Sequence, residues 1–245
     1  LLPNNMGDVI MTLPVLEALK SKFNDHQISF FVEKGFEGGL INYKFCDNII
    51  LFERKKIRDL IRSDLWESGI ELLKEIVQVL NEENFEQVIN LSQNRYVSHF
   101  VSNLKGKRLF GQNFIPQGNH CIRDRWSEYL YAIPFGRYYN SFHVTDIYKR
   151  IADVPNISFN SGITIKNEEK EQIGRYIESQ RKNSDSPIAI FQPGAAYDSK
   201  RWPVEHFISL GRRVIEDGYT IFVTGDIAER DLAERLKNEL GENCV

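Results

Sequence analysis

Pro187-Ile188-Ala189-Ile190-Phe191-Gln192-Pro193-Gly194-Ala195-Ala196-Tyr197-Asp198-Ser199-Lys200-Arg201-Trp202-Pro203-Val204 reads as strand, loop and helix start in one short stretch. An isoleucine-rich apolar run leads into small residues, and Pro203 stands where the first turn of a helix tolerates proline. Downstream, the pattern predicts a helix over 204–217, a strand over 219–223 and a helix over 228–240. A strand that feeds a helix and then another strand builds a parallel sheet, so the class is α/β.

The first half repeats that alternation. Leu1-Leu2-Pro3 reads as the tail of a buried strand, and Asn4-Asn5-Met6-Gly7-Asp8 as a tight loop. The helix that follows puts Val9, Leu13, Leu16 and Leu19 on one face. Strands are predicted over 28–32, 48–52 and 87–91, with a helix over 68–80. From 105 to 139 the pattern is irregular and rich in aromatics; 143–152 again looks helical. Val154-Pro155-Asn156 breaks that helix, which places a domain boundary near 155. Two domains are therefore expected, 1–155 and 156–245. The second restarts the architecture of the first without any residue-level repeat.

The chain has 245 residues, 42% hydrophobic and 27% charged, with 31 basic side chains against 34 acidic ones and a net charge of −3. This excludes disorder, collagen and a disulfide miniprotein. Near-neutrality gives no global pull toward nucleic acid, so an anionic ligand must be caught locally. Cys46, Cys121 and Cys244 are odd in number and far apart, which points to a reducing cytoplasm. No run approaches the roughly 20 apolar residues of a membrane span. Leu1 at the start, and a strand beginning at 244–245, make a fragment of a longer protein the expectation.

Three loops fall at carboxyl ends of strands, where an α/β sheet binds ligands. In the first, Asp8 is either a helix cap or a general base held within reach of a proton. The second, 192–203, has the makings of a phosphate cradle: small residues that let the backbone approach an anion, with Lys200 and Arg201 for charge. Its alternative is a solvated loop covered by Trp202. In the third, Thr224-Gly225-Asp226-Ile227-Ala228-Glu229, the acids are either caps or, for Glu229, an acceptor for ribose hydroxyls. No Gly-Xaa-Gly-Xaa-Xaa-Gly follows a strand, there is no Asp-Xaa-Asp pair, and the five histidines are scattered. That pattern favours a metal-independent mechanism without a nicotinamide or flavin. The basic stretch Arg54-Lys55-Lys56 with Arg58 and Arg62 is either a solvated face or a contact for an anionic acceptor or membrane.

Met6-Gly7-Asp8-Val9 with Thr12-Leu13-Pro14, Val88-Ile89-Asn90-Leu91, Gln192-Pro193-Gly194-Ala195 with Lys200-Arg201-Trp202-Pro203-Val204-Glu205-His206-Phe207, and Thr224-Gly225-Asp226 with Ala228-Glu229 together resemble glycosyltransferase family 9, the ADP-heptose:lipopolysaccharide heptosyltransferases. The resemblance implies a GT-B architecture of two Rossmann-like, doubly wound domains facing across a cleft, the second incomplete. It implies an inverting transfer of a heptose or related sugar from an ADP-sugar to a lipopolysaccharide-core-type acceptor. Position by position, Asp8 matches the base, with Asn5, Met6 and Gly7 in the acceptor-side loop. Lys200 matches the residue on the donor's phosphates and Glu229 one near the nucleoside; Gly194, Ala195, Ala196, Thr224 and Gly225 fall in the donor loops. Ala195 and Ala196 stand where the family often has Ser or Thr, which leaves backbone donors there. The family's later Asp-Thr-Gly-Pro-Xaa-His signature has no counterpart before Val245, so this stretch alone is expected to be inactive. The ADP-sugar is a co-substrate, so no separate cofactor is expected. The implied place is the bacterial cytoplasm, with peripheral inner-membrane contact through a lipid-linked acceptor. Two other readings stay open: a GT-B transferase with another donor, and a non-catalytic nucleotide-sugar-binding module.

Overall fold

Asn5 begins the first helix. Its backbone is extended, and its side-chain Oδ1 accepts the backbone N–H of Asp8 at 3.0 Å, satisfying a donor the helix start leaves unpaired. This helix, α1 (Met6–Lys22), is buried on more than one side. Val9, Leu13 and Leu16 pack on Phe30 and Val32, while Val15 packs with Leu91, Leu130 and Ile147. Pro14 lies inside α1. The carbonyls of Leu13 and Met11 accept the hydroxyls of Tyr43 at 2.9 Å and Thr145 at 3.2 Å. Proline's missing N–H is thus set among side-chain ties that hold the helix in place.

These coordinates are a computed structural model that describes residues 5–115, 118–122, 124–159, 165–181, 183, 185–195 and 197–245. The Leu1-Leu2 strand reading lies outside them. Contacts divide the chain into two compact units, Leu1–Thr164 and Ile165–Val245.

In the first unit, β1 (Ser29–Glu33) pairs in parallel with β2 (Asn48–Phe52). Next come α2 (Arg54–Ile61), α3 (Trp66–Glu82) and β3 (Gln87–Asn90). After α4 (Arg95–Val101), β4 (Arg108–Gly111) pairs in parallel with β3. An antiparallel hairpin, β5 (Asn113–Phe114) with β6 (His120–Cys121), leads to α5 (Arg125–Ala132) and α6 (Val144–Ile151). Gly111 has φ +87°, and a Cβ there would overlap the Asn90 carbonyl, so only glycine lets β4 leave the sheet along this path. Between β1 and β3 lies an apolar cavity of about 320 Å³ lined by Leu16, Phe30, Val88 and Phe100 among others.

In the second unit, α7 (Asn167–Gln180) precedes β7 (Ile188–Phe191), α8 (Val204–Glu216), β8 (Thr220–Val223) and α9 (Arg230–Leu240). The two strands pair in parallel in the register Ile188 to Thr220. Cys244 bridges to Ile221 in parallel, so a third strand begins beside β8. Phe191, Ile208, Ile221, Leu236 and Leu240 form this unit's core. The α/β class with parallel strands is therefore the observed one. Three short helices, α2, α4 and α5, were not anticipated, and the helix expected over 228–240 is a 3-10 turn (Ile227–Glu229) followed by α9.

Candidate functional site

At the start of α1 the cap belongs to Asn5, which corrects the reading of Asp8 as the capping side chain; Asp8 is in the first turn and gives its backbone N–H. An acidic side chain in that turn is favoured by the helix dipole. Met6 packs its side chain against Gly38 and Gly39, and Gly7 leaves room for the Asn5 amide. Met6 and Gly7 are the first residues of α1 rather than part of the tight loop expected there, and the half-buried Asp8 carboxylate is the ionisable group of that first turn. Tyr148 on α6 was not singled out by sequence reasoning. Burial, and secondarily the charge of Asp8, push its phenol up to about 12, which places it within electrostatic reach of Asp8 as a neutral hydroxyl. No motif marks it, because its nearness depends on how α6 packs on α1.

In the second unit the ends of β7 and β8 bring four of the expected residues together. Thr224 donates its N–H to the Phe191 carbonyl at 2.8 Å. Asp226 and Glu229 form a capping box: Asp226 Oδ1 accepts the Ala228 N–H at 2.7 Å, and Glu229 Oε2 accepts the Asp226 N–H at 3.2 Å. The Glu229 carboxyl group lies against two glycines. A Cβ on Gly194 would fall inside it, and one on Gly225 would come within 2.7 Å of Oε2. A shallow cavity of about 260 Å³ opens here, lined by Pro193, Thr224, Gly225, Asp226, Glu229 and Arg230. The cap reading and the ligand reading of Glu229 are compatible, since the box uses one carboxylate oxygen and the cavity is beside it.

The loop after β7 is tied across itself. Arg201 Nε donates to the Ala195 carbonyl at 3.0 Å and its guanidinium pairs with Asp198 at 2.9 Å. Lys200 is exposed, its Nζ 5.4 Å from the centre of the Tyr197 ring. Pro203 is the N-cap of α8 rather than part of its first turn. Trp202 stacks on His206 at 5.4 Å and meets Phe207 edge-on at 4.9 Å, so it anchors the loop to α8. Ala196 lies outside the described residues. In the first unit, the basic stretch at 54–62 is largely α2, and three of its cations have acidic neighbours: Arg54 with Glu33 at 2.8 Å, Lys56 with Glu53 at 4.0 Å and Arg58 with Asp59 at 3.4 Å.

Burial pushes the Cys46 thiol up to about 11 and raises that of Cys244, which makes both poor nucleophiles at neutral pH. Among the described residues no group of three His, Cys, Asp or Glu side chains is placed to hold a metal ion, and no helix is long and apolar enough to cross a membrane.

A loop of small residues and cations follows one strand, beside a glycine-bounded carboxylate after the next, at the carboxyl ends of strands where α/β units bind ligands. The sequence model of glycosyltransferase family 9 (heptosyltransferase) matches residues 73–245. The chain belongs to glycosyltransferase family 9. This family 9 chain is 22% identical over 251 residues to lipopolysaccharide heptosyltransferase 1 of Pseudomonas aeruginosa, covering 99% of itself and 64% of that relative. It spans just under two thirds of that relative's length. Among solved structures it is similar to a glycosyl transferase family 9 protein from Veillonella parvula, with a TM-score of 0.76, 22% identity, and coverage of 98% of this chain and 66% of that one. It is also similar to E. coli heptosyltransferase WaaC with ADP, with a TM-score of 0.66, 17% identity, and coverage of 98% and 71%. At these identities the solved structures speak for the fold.

Proposed function

We propose that the protein is an inverting, metal-independent glycosyltransferase of GT-B type that moves a heptose or related sugar from an ADP-sugar to a lipopolysaccharide-core-type acceptor. In this reading residues 1–155 serve the acceptor and 156–245 the donor. The observation that carries it is the division of labour at α1: Asn5 makes the cap, and Asp8 stands beside it with a carboxylate in the first turn.

Asp8 takes the proton of an acceptor hydroxyl as that oxygen attacks the anomeric carbon. The bond from that carbon to the donor's diphosphate breaks on the opposite face, and its electron pair leaves with ADP. Lys200 and the N-terminus of α8 offset the charge that develops on the leaving group. Gly194, Ala195 and Ala196 let the backbone approach the diphosphate, while Thr224, Gly225 and Glu229 border the nucleoside. An acceptor carried on a lipid would bring the enzyme to the inner face of the cytoplasmic membrane.

The test is sugar transfer from ADP-heptose to a lipopolysaccharide-core acceptor, with the full-length protein that carries this chain and its Asp8→Asn variant compared. Loss of general-base catalysis predicts a rate lower by about 100-fold or more, with ADP binding by calorimetry retained. Undiminished transfer by Asp8→Asn would remove the base assignment. ADP binding with no transfer from any donor in a panel would leave a binding module instead.

A further inference from the structure

The turn between α5 and α6 exposes large aromatic side chains: Phe135 is 85% exposed, Tyr138 fully so and Tyr139 91%. They stand on a fixed base. The Tyr129 hydroxyl donates to Asn140 Oδ1 at 2.9 Å, Phe142 packs edge-on against Trp126 and Tyr129, and Arg150 lies 4.5 Å from the Trp126 ring. From Phe135 a run of ring contacts continues through Tyr131 and His120 to Phe114 and His99, which is on α4. Arg95, at the start of α4, bears electrostatically on His120, and Tyr96 beside it is 87% exposed. Arg137 is exposed within the turn itself.

The charge of this stretch departs from that of the chain. Residues 91–143 hold seven Arg and Lys against two acidic residues, in a protein whose net charge is −3. Tyrosines with an apolar ring and a polar tip suit the headgroup layer of a bilayer, and arginines among them suit anionic lipids. We propose that the face built from the 133–139 turn, the start of α4 and the β5–β6 hairpin docks on the surface of an anionic lipid bilayer. A fixed turn lowers the ordering cost of such docking. On α2, Arg54 and Arg58 already have carboxylate neighbours, as Lys107 has in Glu86. The lipid-linked acceptor gives the docking its purpose, but the test below reads vesicle binding alone, so its failure is separate from a failure of the transfer reaction.

Co-flotation with vesicles of phosphatidylglycerol and phosphatidylethanolamine, against phosphatidylcholine vesicles, tests it. The wild-type chain is expected to float with the anionic vesicles and to be released as salt rises from about 0.01 to 0.5 M. Arg95→Glu with Arg137→Glu should weaken partition about tenfold or more, and Phe135→Ser with Tyr138→Ser and Tyr139→Ser should do so without changing the circular dichroism spectrum. Arg54→Glu with Arg58→Glu should leave partition unchanged. Equal binding to neutral vesicles, an α2 variant as impaired as the patch variants, or sedimentation showing that the aromatic variants abolish a dimer instead, would overturn the proposal.

Discussion

Glu229 occupies the space that any side chain on residue 194 would need, and that makes the pair a sharp probe of the second unit. Gly194→Ala is expected to destabilise the chain and weaken ADP binding, because the new methyl falls on the Glu229 carboxyl group. Glu229→Ala empties that space, so the double variant should recover part of the loss, a coupling of about 1–3 kcal/mol in thermal unfolding. Strict additivity would contradict the packing. At the other site, Asn5→Ala should cost about 1 kcal/mol of stability through the lost cap, whereas Asp8→Asn removes a charge the helix dipole favours and should cost about 0.3–1 kcal/mol while transfer collapses. The cap was only partly legible in the sequence. Asn4, Asn5 and Asp8 are all capping residue types, and composition does not choose among them. Backbone conformation does, since Asn5 is extended and its side chain reaches the amide three residues on. Tyr148 was not legible at all, because its coming within electrostatic reach of Asp8 is a product of helix packing.

Among the elements, the β5–β6 hairpin carries a pH dependence. Burial, then the Arg95 guanidinium, hold the His120 imidazole below its ordinary 6.5, and among the described residues its buried Nε2 has no hydrogen-bond partner. The unfolded chain therefore binds that proton more readily than the folded one. Its contribution to stability is present above pH 6.5 and is lost as pH falls through the lower folded value. In thermal melts from about pH 8 to 5, His120→Phe, set among Phe114 and Tyr131, should flatten the acid side of the profile; parallel wild-type and variant profiles would contradict this. Lys149 on α6 is buried, and its ammonium donates to Asn156 Oδ1 at 3.1 Å and the Ile157 carbonyl at 2.9 Å. Lys149→Met should lower stability by about 1–3 kcal/mol in denaturant unfolding, since both acceptors lose their donor. A change under about 0.5 kcal/mol would show that water replaces it. Long helices were readable from periodicity, as α3 and α8 show. The short ones were not: α2 buries Ile57 alone, and α4 and α5 lie where aromatics mask any repeat. The one-faced reading of α1 fell short because that helix has core on two sides.

For the whole molecule, the proposed base stands at the start of α1 and the proposed donor loops follow β7 and β8. Family membership rests on residues 73–245, which include the donor loops but not Asp8. The α/β class could be read from alternation alone. What could not be read is which loop residues meet, because the contact of Glu229 with Gly194 joins positions 35 apart. The central claim is that Asp8 drives a single inverting displacement from an ADP-sugar without a metal. The most direct measurement is the anomeric configuration of the product, read by NMR, when the full-length protein that carries this chain acts on ADP-heptose and a lipopolysaccharide-core acceptor in the presence of EDTA. The account predicts a product of opposite configuration to the donor, formed at an undiminished rate. A product of retained configuration, or a rate abolished by EDTA, would contradict it.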